Sequence, residues 1–562
     1  MARTIGIGIQ DFEKLIMKGA FYVDKTLFVK EWWESEDDVT LITRPRRFGK
    51  TLTMDMVDKF FSVKYADRGD LFEGLAIWRE EKYRRLQGTY PVMFLSFASV
   101  KETCYKNSRR KINHLFVSLY SDNEFLLESG VLTTSEKDFF QRVSADMDEV
   151  EASLALHELS KYLCRYYGKK VLILLDEYDT PMQEAYVNGY WDEFTAFIRD
   201  IFNAAFKTNP YLERAILTGI TRISKESIFS DLNNLEVVTA TSEKYQDSFG
   251  FTQQEVSDAL KEYGLSEKEN DVRDWYDGFT FGSQADIYNP WSIINYLDKK
   301  TFSTYWANTS SNSLVGKLIR EGNRNIKMIM EDLLRGGLLH TYLDEQIVFN
   351  QLDTRESAIW SLLLASGYLR VEKFFPNERR GRHGYDLVLT NQEVHMMFEQ
   401  MIEDWFAESV PEYNDFIKAF LKGDIKEMNV YMNKVALQTI SYFDTGKKPS
   451  EASEPERFYH GFVLGLIVEL SGRYTVTSNR ESGYGRYDVV LEPLHKEDDA
   501  MILEFKVYDG EEEGSLQDTV QSALDQIEDK QYAASLIAKG IEPERIRRYG
   551  FAFEGKKVLI GA

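Results

Sequence analysis

Cysteine, proline and long apolar runs are all scarce in this sequence. Of its 562 residues, only Cys104 and Cys164 are cysteines, and only 11 residues are prolines. Two cysteines outside any C-x-x-C pair exclude a disulfide framework and predict a reducing, cytoplasmic environment. The seven scattered histidines form no zinc motif. Because no apolar run approaches the roughly 18 residues of a membrane span, and the N-terminus lacks a signal-peptide pattern, no membrane association is expected.

Positive charge is also in deficit. The chain carries 91 acidic residues against 68 Lys and Arg, which gives a formal net charge of −23. That excess argues against a protein that coats nucleic acid through overall attraction, although it leaves room for a local basic cleft. Hydrophobic residues make up 43% of the chain, enough for large cores. At about 100–200 residues per domain, the length predicts three or four folded units.

Short runs of Val, Ile and Leu alternate with helical patterns over the first third of the chain. Four of these runs are predicted to be strands: DVTLITRP, YPVMFLSF (90–97), KKVLILLDEYD (169–179) and ERAILTGIT (213–221). Apolar strands separated by segments long enough for crossover helices indicate a parallel sheet covered on both faces. The sequence therefore predicts an α/β domain over residues 1–240.

The rest of the chain divides at a polar, proline-containing stretch over 442–460, the best candidate for a linker. Before it, residues 241–445 have a mostly helical pattern. A helix, glycine turn, strand and polar hairpin within this region are compatible with a winged-helix-like unit or with a helical lid. After it, residues 452–562 predict an apolar helix, three strands, another helix and a final strand pair, which is typical of a compact α/β domain.

The segment RPRRFGKT ends as a phosphate-binding loop ends but opens differently. Arg44 and Pro45 stand where the pattern G-x-x-x-x-G-K-[ST] has its first glycine. A working site, a decayed site and a chance basic turn therefore all remain open at this point. In a working site, Lys50 would reach the β- and γ-phosphates, the Thr51 hydroxyl would ligate Mg²⁺, and Gly49 would allow close backbone approach.

The arginines of this loop have two interpretations. Arg44, Arg46 and Arg47 would either grip the triphosphate or form a solvated basic turn. Because the guanidinium group binds phosphate oxygens bidentately, phosphate binding is favoured for Arg46 or Arg47.

The strand VLILLDEYD supplies the second half of a nucleotide site. Asp176 would hold Mg²⁺, and Glu177 would orient or deprotonate the attacking water. Strand ends often carry acids, but an apolar strand ending in Asp-Glu together with an upstream Gly-Lys-Thr favours ATP binding. Polar residues at the end of the next strand, Thr218, Thr221 and Arg222, would sense the γ-phosphate or simply mark the strand exit.

A second group of charged residues lies near the C-terminus, in GRYDVVLEP and AMILEFKV. Glu504 and Lys506 share a strand face, and a neighbouring strand would bring Asp488 beside Glu504. Two carboxylates make a hard-oxygen site for Mg²⁺ or Mn²⁺, and Lys506 could position the attacking water or stabilise phosphate charge. The alternative is a solvated sheet face, but the flanking residues are apolar, so charges there are costly unless paired or metal-bound. Gln526 follows on a helix near the strand ends.

With both groups in view, the chain resembles bacterial proteins that join an AAA-ATPase-like domain to a C-terminal PD-(D/E)xK nuclease-superfamily domain. The matching stretches, in order, are FYVDKT, RPRRFGKT, VLILLDEYDTP, LTGITRISKESIFSDLNNL, WYDGF, YNPWS, FYHGFVLGL, SNRESGYGRYDVVL and ILEFKV. The resemblance implies a P-loop NTPase sheet, a helical or winged-helix-like middle region and a restriction-endonuclease-like α/β domain. The Arg-Pro opening belongs to this family's own loop.

The resemblance also implies roles for particular residues. Lys50 and Thr51 would hold the nucleotide and its Mg²⁺, with Asp176 on the metal and Glu177 catalytic. The other residues that we predict to bind the nucleotide, from the loop itself, are Arg46, Arg47, Phe48 and Gly49. The nuclease site would consist of Asp488, Glu504, Lys506 and the helper Gln526, with Asp488 and Glu504 holding the metal. Tyr487 departs from the Pro-Asp of the superfamily's name, at a position that tolerates change.

Three hypotheses follow. The first is an ATP-binding protein and ATPase coupled to a Mg²⁺-dependent nuclease that cuts DNA or RNA. The second is a nucleotide-switched binding or signalling protein whose nuclease fold is silent, and the third is a scaffold with neither activity. A homo-oligomer is compatible with the resemblance, because AAA-type sites often take an arginine from a neighbour, but the sequence does not single out that arginine.

Overall fold

The apolar strands of the first third form a five-stranded parallel sheet in the computed structural model, as predicted. The strands are β1 (Val39–Thr43), β2 (Val92–Ser96), β3 (Val171–Asp176), β4 (Leu212–Gly219) and β5 (Leu235–Val238). Their order is β2-β3-β4-β1-β5, so β4 lies between β1 and β3. β1 and β3 are buried along their whole length, as expected for inner strands with both faces covered. The carboxyl ends of these strands therefore meet at one edge of the sheet.

The structure describes residues 2–221, 228–229, 232–307, 315–316, 318–319, 324–343, 356–379, 382–407, 410–439, 470, 473–478, 481–482, 485–486, 489–508, 513–554 and 557–562. The helices around the first sheet are α1 (Phe12–Met17), α2 (Leu27–Ser35), α3 (Lys50–Phe61), α4 (Glu81–Arg84), α5 (Tyr105–Ser121), α6 (Thr134–Arg142), α7 (Glu149–Tyr167), α8 (Thr180–Val187) and α9 (Trp191–Phe202). On one face of the sheet, Ile42 and Leu174 share a core with Val57 of α3 and Trp32 of α2.

The middle region is mostly helical but carries two small sheets. Its helices are α10 (Gln253–Glu262), α11 (Glu269–Tyr276), α12 (Pro290–Lys299), α13 (Arg324–Leu334), α14 (Glu356–Ala365) and α15 (Gln392–Ala407). Its strands are β6 (Phe251–Thr252), β7 (Phe279–Phe281), β8 (Gln284–Tyr288), β9 (Leu339–Thr341), β10 (Leu369–Arg379) and β11 (Arg382–Leu389). The predicted succession of helix, glycine turn, strand and strand corresponds to α14, Gly367, β10 and β11, which pair as an antiparallel hairpin.

The C-terminal region forms a second five-stranded sheet, in the order β12-β15-β16-β17-β18. Its elements are α16 (Val410–Lys422), α17 (Ile425–Thr439), β12 (Tyr474–Ser478), β13 (Glu481–Ser482), β14 (Gly485–Arg486), β15 (Val489–Pro493), β16 (Ala500–Val507), α18 (Leu516–Asp529), α19 (Ala534–Ala538), β17 (Ile546–Glu554) and β18 (Lys557–Gly561). β16 and β17 run parallel, and the other neighbours are antiparallel. The predicted apolar helix over 458–472 lies outside the described residues except for position 470.

The chain forms two compact units. One comprises Met1–Leu318 and Asp332–Met397, and the other comprises Ile319–Glu331 and Phe398–Ala562. The division into domains at 1–240, 241–445 and 452–562 stays a prediction. Within the described ranges, no helix has the length and apolar character needed to cross a membrane.

Candidate functional site

The loop between β1 and α3 has the backbone of a phosphate-binding turn. Gly49 immediately precedes α3 with φ 83°, in the left-handed region that glycine adopts without strain. Arg47, two residues earlier, also has a positive φ of 65°. These turns direct the chain from the sheet into the start of α3, where unpaired backbone amides and the helix dipole favour an anion.

Lys50, the first residue of α3, is buried at the base of this loop. Its Nζ donates to the carbonyl oxygens of Arg44 at 2.9 Å and Pro45 at 2.7 Å. Burial lowers the pKa of Lys50, whereas the nearby carboxylates, Glu177 first among them, raise it. The ammonium group is therefore tied to the inner side of the loop, within the field of the acids at the end of β3.

Thr51 and Asp176 meet across the sheet edge, as the two-part site requires. The Thr51 hydroxyl donates to Asp176 Oδ2 at 2.7 Å, and the Thr218 hydroxyl donates to Asp176 Oδ1. Burial raises the pKa of Asp176, while the hydrogen bonds from Thr218 and Thr51 lower it. One hydroxyl and one carboxylate thus converge, and both are oxygen ligands suited to Mg²⁺.

Glu177 follows on the turn that leaves β3. Its φ of 51° is positive, and its Oε2 accepts a hydrogen bond from the Thr180 hydroxyl at 3.0 Å. A non-glycine residue in this region is uncommon and is often found at functional sites. The structure places Glu177 on the lining of the cavity next to the loop.

Arg44 fits neither interpretation of the basic loop. The residue is 0% exposed, and its guanidinium group donates to the carbonyls of Thr43 at 2.9 Å, Thr239 at 2.8 Å and Tyr245 at 3.2 Å. It also lies 4.4 Å from the centre of the Phe281 ring. Burial lowers the pKa of Arg44 to about 9, so it remains charged at neutral pH. Where other loops have a glycine, this one has a buried arginine that binds backbone.

The remaining loop residues differ in what they contact. Arg46 and Arg47 line the cavity, and the Arg47 guanidinium lies 4.5 Å from the centre of the Trp291 ring. The Phe48 side chain is instead buried against Phe279 and Phe281, with ring centres 4.8 and 5.4 Å away. Phe48 therefore anchors the loop through its ring, so only its backbone remains suited to the predicted role in nucleotide binding.

Asp179, three residues after Asp176, is a further buried acid of this site that was not predicted from the sequence. It is 1% exposed, and its Oδ2 accepts bonds from the backbone amides of Ile220 and Thr221, both at 2.9 Å. Its acidic character in DEYD was the available signal. Thr221, predicted as a sensor, is buried and donates its hydroxyl to Asp179 at 3.0 Å. Arg222 lies outside the described residues.

A cavity of about 410 Å³ opens above these residues. At one end it is lined by the loop and by polar residues, including Lys50, Thr51, Glu177 and Asp179. The lining also includes apolar side chains from other segments: Phe21, Val23, Phe251, Pro290, Trp291 and Ile294. A volume of this size and a mixed lining suit a small polar ligand with one apolar part.

In the C-terminal sheet, alternation along β16 separates two faces. Met501, Leu503 and Phe505 enter a core with residues of α16 and α17, whereas Ile502 faces a second core that includes Ile527 of α18. Glu504 and Lys506 have the same parity as Ile502 and so share its face. Glu504 is buried at 3% exposure, and Lys506 is half-buried.

Glu504 and Gln526 meet on this face. The Gln526 amide donates to Glu504 Oε1 and lies 3.2 Å from the Tyr532 hydroxyl. Gly550 of β17, paired with Glu504, allows this contact, because a Cβ there would lie 2.8 Å from the Val520 carbonyl of α18. Three of the four predicted nuclease residues are thus placed on one face. Asp488 lies outside the described residues.

A shallow cavity of about 470 Å³ lies beside Gln526. Its lining comprises Lys506, Asp518, Gln521, Ser522, Asp525, Gln526, Asp529 and Lys530. Three carboxylates against two ammonium groups make its charge negative on balance. Over the described part of the chain, no group of three or more His, Cys, Asp or Glu side chains comes together as a metal cluster.

Comparison with known proteins gives two matches to family models. Residues 6–229 match the model described as Predicted AAA-ATPase, and residues 454–562 match the model described as PD-(D/E)XK nuclease superfamily. A relative from Azotobacter chroococcum mcd 1, named "Uncharacterized protein in vnfD 5'region", is 25% identical over 577 residues. The alignment covers 99% of this chain and 98% of that protein.

Proposed function

We propose that this chain, which joins an AAA-ATPase-like domain to a C-terminal domain of the PD-(D/E)XK nuclease superfamily, is an ATPase coupled to a metal-dependent nuclease. The single observation that carries the proposal is the 2.7 Å contact between Thr51 and Asp176. These residues are 125 positions apart, and their meeting beside Lys50 assembles the parts that a nucleoside triphosphate requires.

ATP would lie in the 410 Å³ cavity with its phosphates at the start of α3. Lys50 would exchange its two loop carbonyls for β- and γ-phosphate oxygens, and Arg46 or Arg47 would bind a further oxygen. Thr51 and Asp176 would hold Mg²⁺, which would supply charge neutralisation for the phosphates. The base would occupy the apolar part of the lining, beside Phe251 and Trp291.

Glu177 is the proposed general base for hydrolysis. It lies at the cavity, one residue beyond Asp176, and a carboxylate there can accept a proton from the attacking water. Thr218 keeps Asp176 in place through its hydroxyl. The chain's own residues therefore bind the phosphates, orient the metal ligand and accept the proton.

At the second site, the proposed nuclease residues are Asp488, Glu504, Lys506 and Gln526. β15 begins at Val489, which pairs with Leu503, the residue that precedes Glu504 in β16. Asp488 and Glu504 would hold Mg²⁺ or Mn²⁺, and the metal would supply Lewis-acid activation of a phosphodiester. Lys506 would stabilise phosphate charge, and Gln526 would orient Glu504. The substrate class is DNA or RNA.

One observation favours a second candidate, a nucleotide-switched binding protein whose nuclease fold is silent. The cavity beside Gln526 is lined by three aspartates and two lysines, so its charge is negative on balance and disfavours a phosphate backbone. The overall net charge of −23 also disfavours the binding of nucleic acid.

ATP turnover with and without nucleic acid tests the ATPase half of the proposal. Lys50→Ala should lower ATP affinity and turnover by at least about 100-fold, because the buried ammonium is the main phosphate ligand. Lys64→Ala, which removes a lysine that is 50% exposed and outside the cavity, is the matched control. Equal turnover in the two variants would refute an ATP site at Lys50.

Cleavage of DNA and RNA with Mg²⁺ or Mn²⁺ tests the nuclease half. Glu504→Gln removes the charge and keeps an oxygen for the Gln526 amide, so the fold should persist while cutting is lost. Glu554→Ala on β17, which removes an exposed acid, is the control. If the wild-type chain binds and hydrolyses ATP but cuts neither polymer, the switched binding protein is the better assignment.

A further inference from the structure

Asp179 is placed where a helix-capping residue is expected, but it does not cap its helix. It directly precedes α8, and aspartate at that position usually accepts bonds from the first backbone amides of the helix. Here its side chain makes no capping bond. Oδ2 instead accepts the amides of Ile220 and Thr221 at 2.9 Å and the Thr221 hydroxyl at 3.0 Å, with the Gln183 side-chain amide of α8 farther away at 3.4 Å. A role confined to stabilising α8 does not explain this geometry.

Tyr178 reinforces the same connection. Its backbone amide donates to the Thr218 carbonyl at 3.0 Å, and its hydroxyl donates to the Thr221 carbonyl at 2.7 Å. Together, Tyr178 and Asp179 make hydrogen bonds to three of the four residues 218–221 at the end of β4, namely Thr218, Ile220 and Thr221. Gly219 is required within this contact, because a Cβ there would lie 2.7 Å from both Asp179 Oδ1 and Tyr178 Cε1.

The far side of the same segment is bound to the phosphate loop. The Arg44 backbone amide donates to the Gly219 carbonyl at 3.1 Å. The end of β4 is therefore held on one side by the first residue of the loop and on the other by the turn that carries Glu177. Because Thr218 in this segment binds Asp176, a displacement of residues 218–221 would move the proposed magnesium ligand relative to Lys50.

Asp179 also lies within reach of the site's charges. It lines the cavity, and burial raises its pKa, whereas the hydrogen bonds from the Thr221 and Ile220 amides and the charge of Lys50 lower it. Charged acceptors make stronger hydrogen bonds to backbone amides than neutral ones do. Asp179 therefore borders both residues 220 and 221 and the cavity of the proposed ATP site.

We infer that Asp179 is a positioning residue for ATP hydrolysis: it fixes residues 218–221 between the phosphate loop and the Glu177 turn, and so aligns Asp176 and Glu177 with the γ-phosphate. The inference rests on the proposed ATPase function. Since alignment matters at the transition state more than for ground-state binding, the loss of Asp179 should lower kcat and leave ATP affinity nearly unchanged. A residue needed only for folding would not separate these two quantities.

The test compares Asp179→Ala and Asp179→Asn with the wild-type full chain. Asp179→Ala should reduce kcat by on the order of 100-fold, the scale of a misplacement of about 1 Å, while the Kd for a non-hydrolysable ATP analogue stays within about threefold. Asp179→Asn should recover at least about tenfold of the lost kcat, because its amide oxygen still accepts the backbone amides.

Glu136→Ala supplies a control for destabilisation. Glu136 is also a buried carboxylate that accepts a backbone amide, that of Thr133 at 2.9 Å, but it lies on α6 and does not line the cavity. This variant should lower the melting temperature and keep wild-type kcat. Lys50→Ala should lose ATP binding, and it therefore shows whether ATP binds at the proposed site.

The possible outcomes distinguish the positioning role of Asp179 from the proposed ATPase function. If wild type hydrolyses ATP and Asp179→Ala keeps its kcat, the positioning role is wrong and the ATPase function stands. The role is equally wrong if kcat and affinity fall together and Asp179→Asn is no better than alanine. If wild type neither binds nor hydrolyses ATP, the proposed function fails and the role of Asp179 fails with it.

Discussion

At the scale of single residues, the guanidinium group of Arg44 has a structural role, because it binds backbone carbonyls. It takes the position of a glycine in the usual loop and donates to the carbonyls of Thr43, Thr239 and Tyr245. Arg44→Lys should lower the free energy of unfolding by about 2–4 kcal/mol, because one ammonium group cannot satisfy carbonyls spread around a planar fork. Thermal unfolding measures the loss, and Arg85→Lys, at a position that is 77% exposed, should be neutral. Equal melting temperatures for the two variants would contradict a structural role for Arg44.

Glu393 predicts a pH dependence. It is 1% exposed on α15, accepts the Ser292 hydroxyl at 2.7 Å and the Trp306 amide, and burial raises its pKa from 4.5 to about 7. Between these pH values the folded state keeps a proton that the unfolded state has lost. Its contribution to stability therefore falls as pH rises through this window, by about 3 kcal/mol in total.

Glu393→Gln removes this titration. Relative to wild type, the variant should gain thermal stability steadily from pH 5 to pH 8, as measured by calorimetry at each pH. Glu399→Gln, which removes one carboxylate from an exposed position on the same helix, is the control for the change in net charge. Parallel profiles for wild type and Glu393→Gln would show that this carboxyl group does not retain its proton.

At the scale of elements, the end of β4 tolerates no side chain at Gly219. Gly219→Ala should displace Tyr178 and Asp179, lower ATP turnover by on the order of tenfold or more, and cost about 1–3 kcal/mol through overpacking. Gly514→Ala, where a Cβ would meet only the carboxylate end of the Asp518 side chain, is the control for turnover and melting temperature. Unchanged turnover in Gly219→Ala would mean that the segment adjusts without effect on the site.

The elements differ in how far the sequence predicted them. Short runs rich in Val, Ile and Leu identified β1 to β4 and the order of elements in the C-terminal sheet, because buried strands leave few polar positions. β5 was missed, since a four-residue run has too little pattern to stand out. The insertion of β4 between β1 and β3 could not be predicted from the sequence either, because strand order depends on packing between segments far apart in the chain.

The site shows the same limit. The residue types of Gly49-Lys50-Thr51 and Asp176-Glu177 carry their chemistry in the sequence, so a nucleotide site could be proposed from them, and the two segments do meet through Thr51 and Asp176. The sequence does not show which neighbours a side chain will contact. Arg44 and Phe48 therefore could not be distinguished from phosphate ligands, and Asp179 was passed over, because their contacts are with residues many positions away.

At the scale of the whole molecule, two sites on one chain predict separable losses. Lys50→Ala should abolish ATP turnover but keep nucleic-acid binding. Glu504→Gln should abolish cutting but keep ATP binding. ATP titration and a mobility-shift assay measure the two. If ATP turnover drives the nuclease, Lys50→Ala will also cut at least about tenfold more slowly, whereas equal cutting rates would show that the activities are independent.

The central position of β4 also determines when the proposed ATP site can first form during synthesis. Synthesis proceeds from the N-terminus, so β1, the loop and β3 leave the ribosome before the strand that must insert between them. Until β4 has emerged, the nascent polypeptide has no continuous sheet to bring Thr51 to Asp176. If ATP binds as proposed, it cannot stabilise the early translation product, and this domain would reach its partly folded states without help from nucleotide.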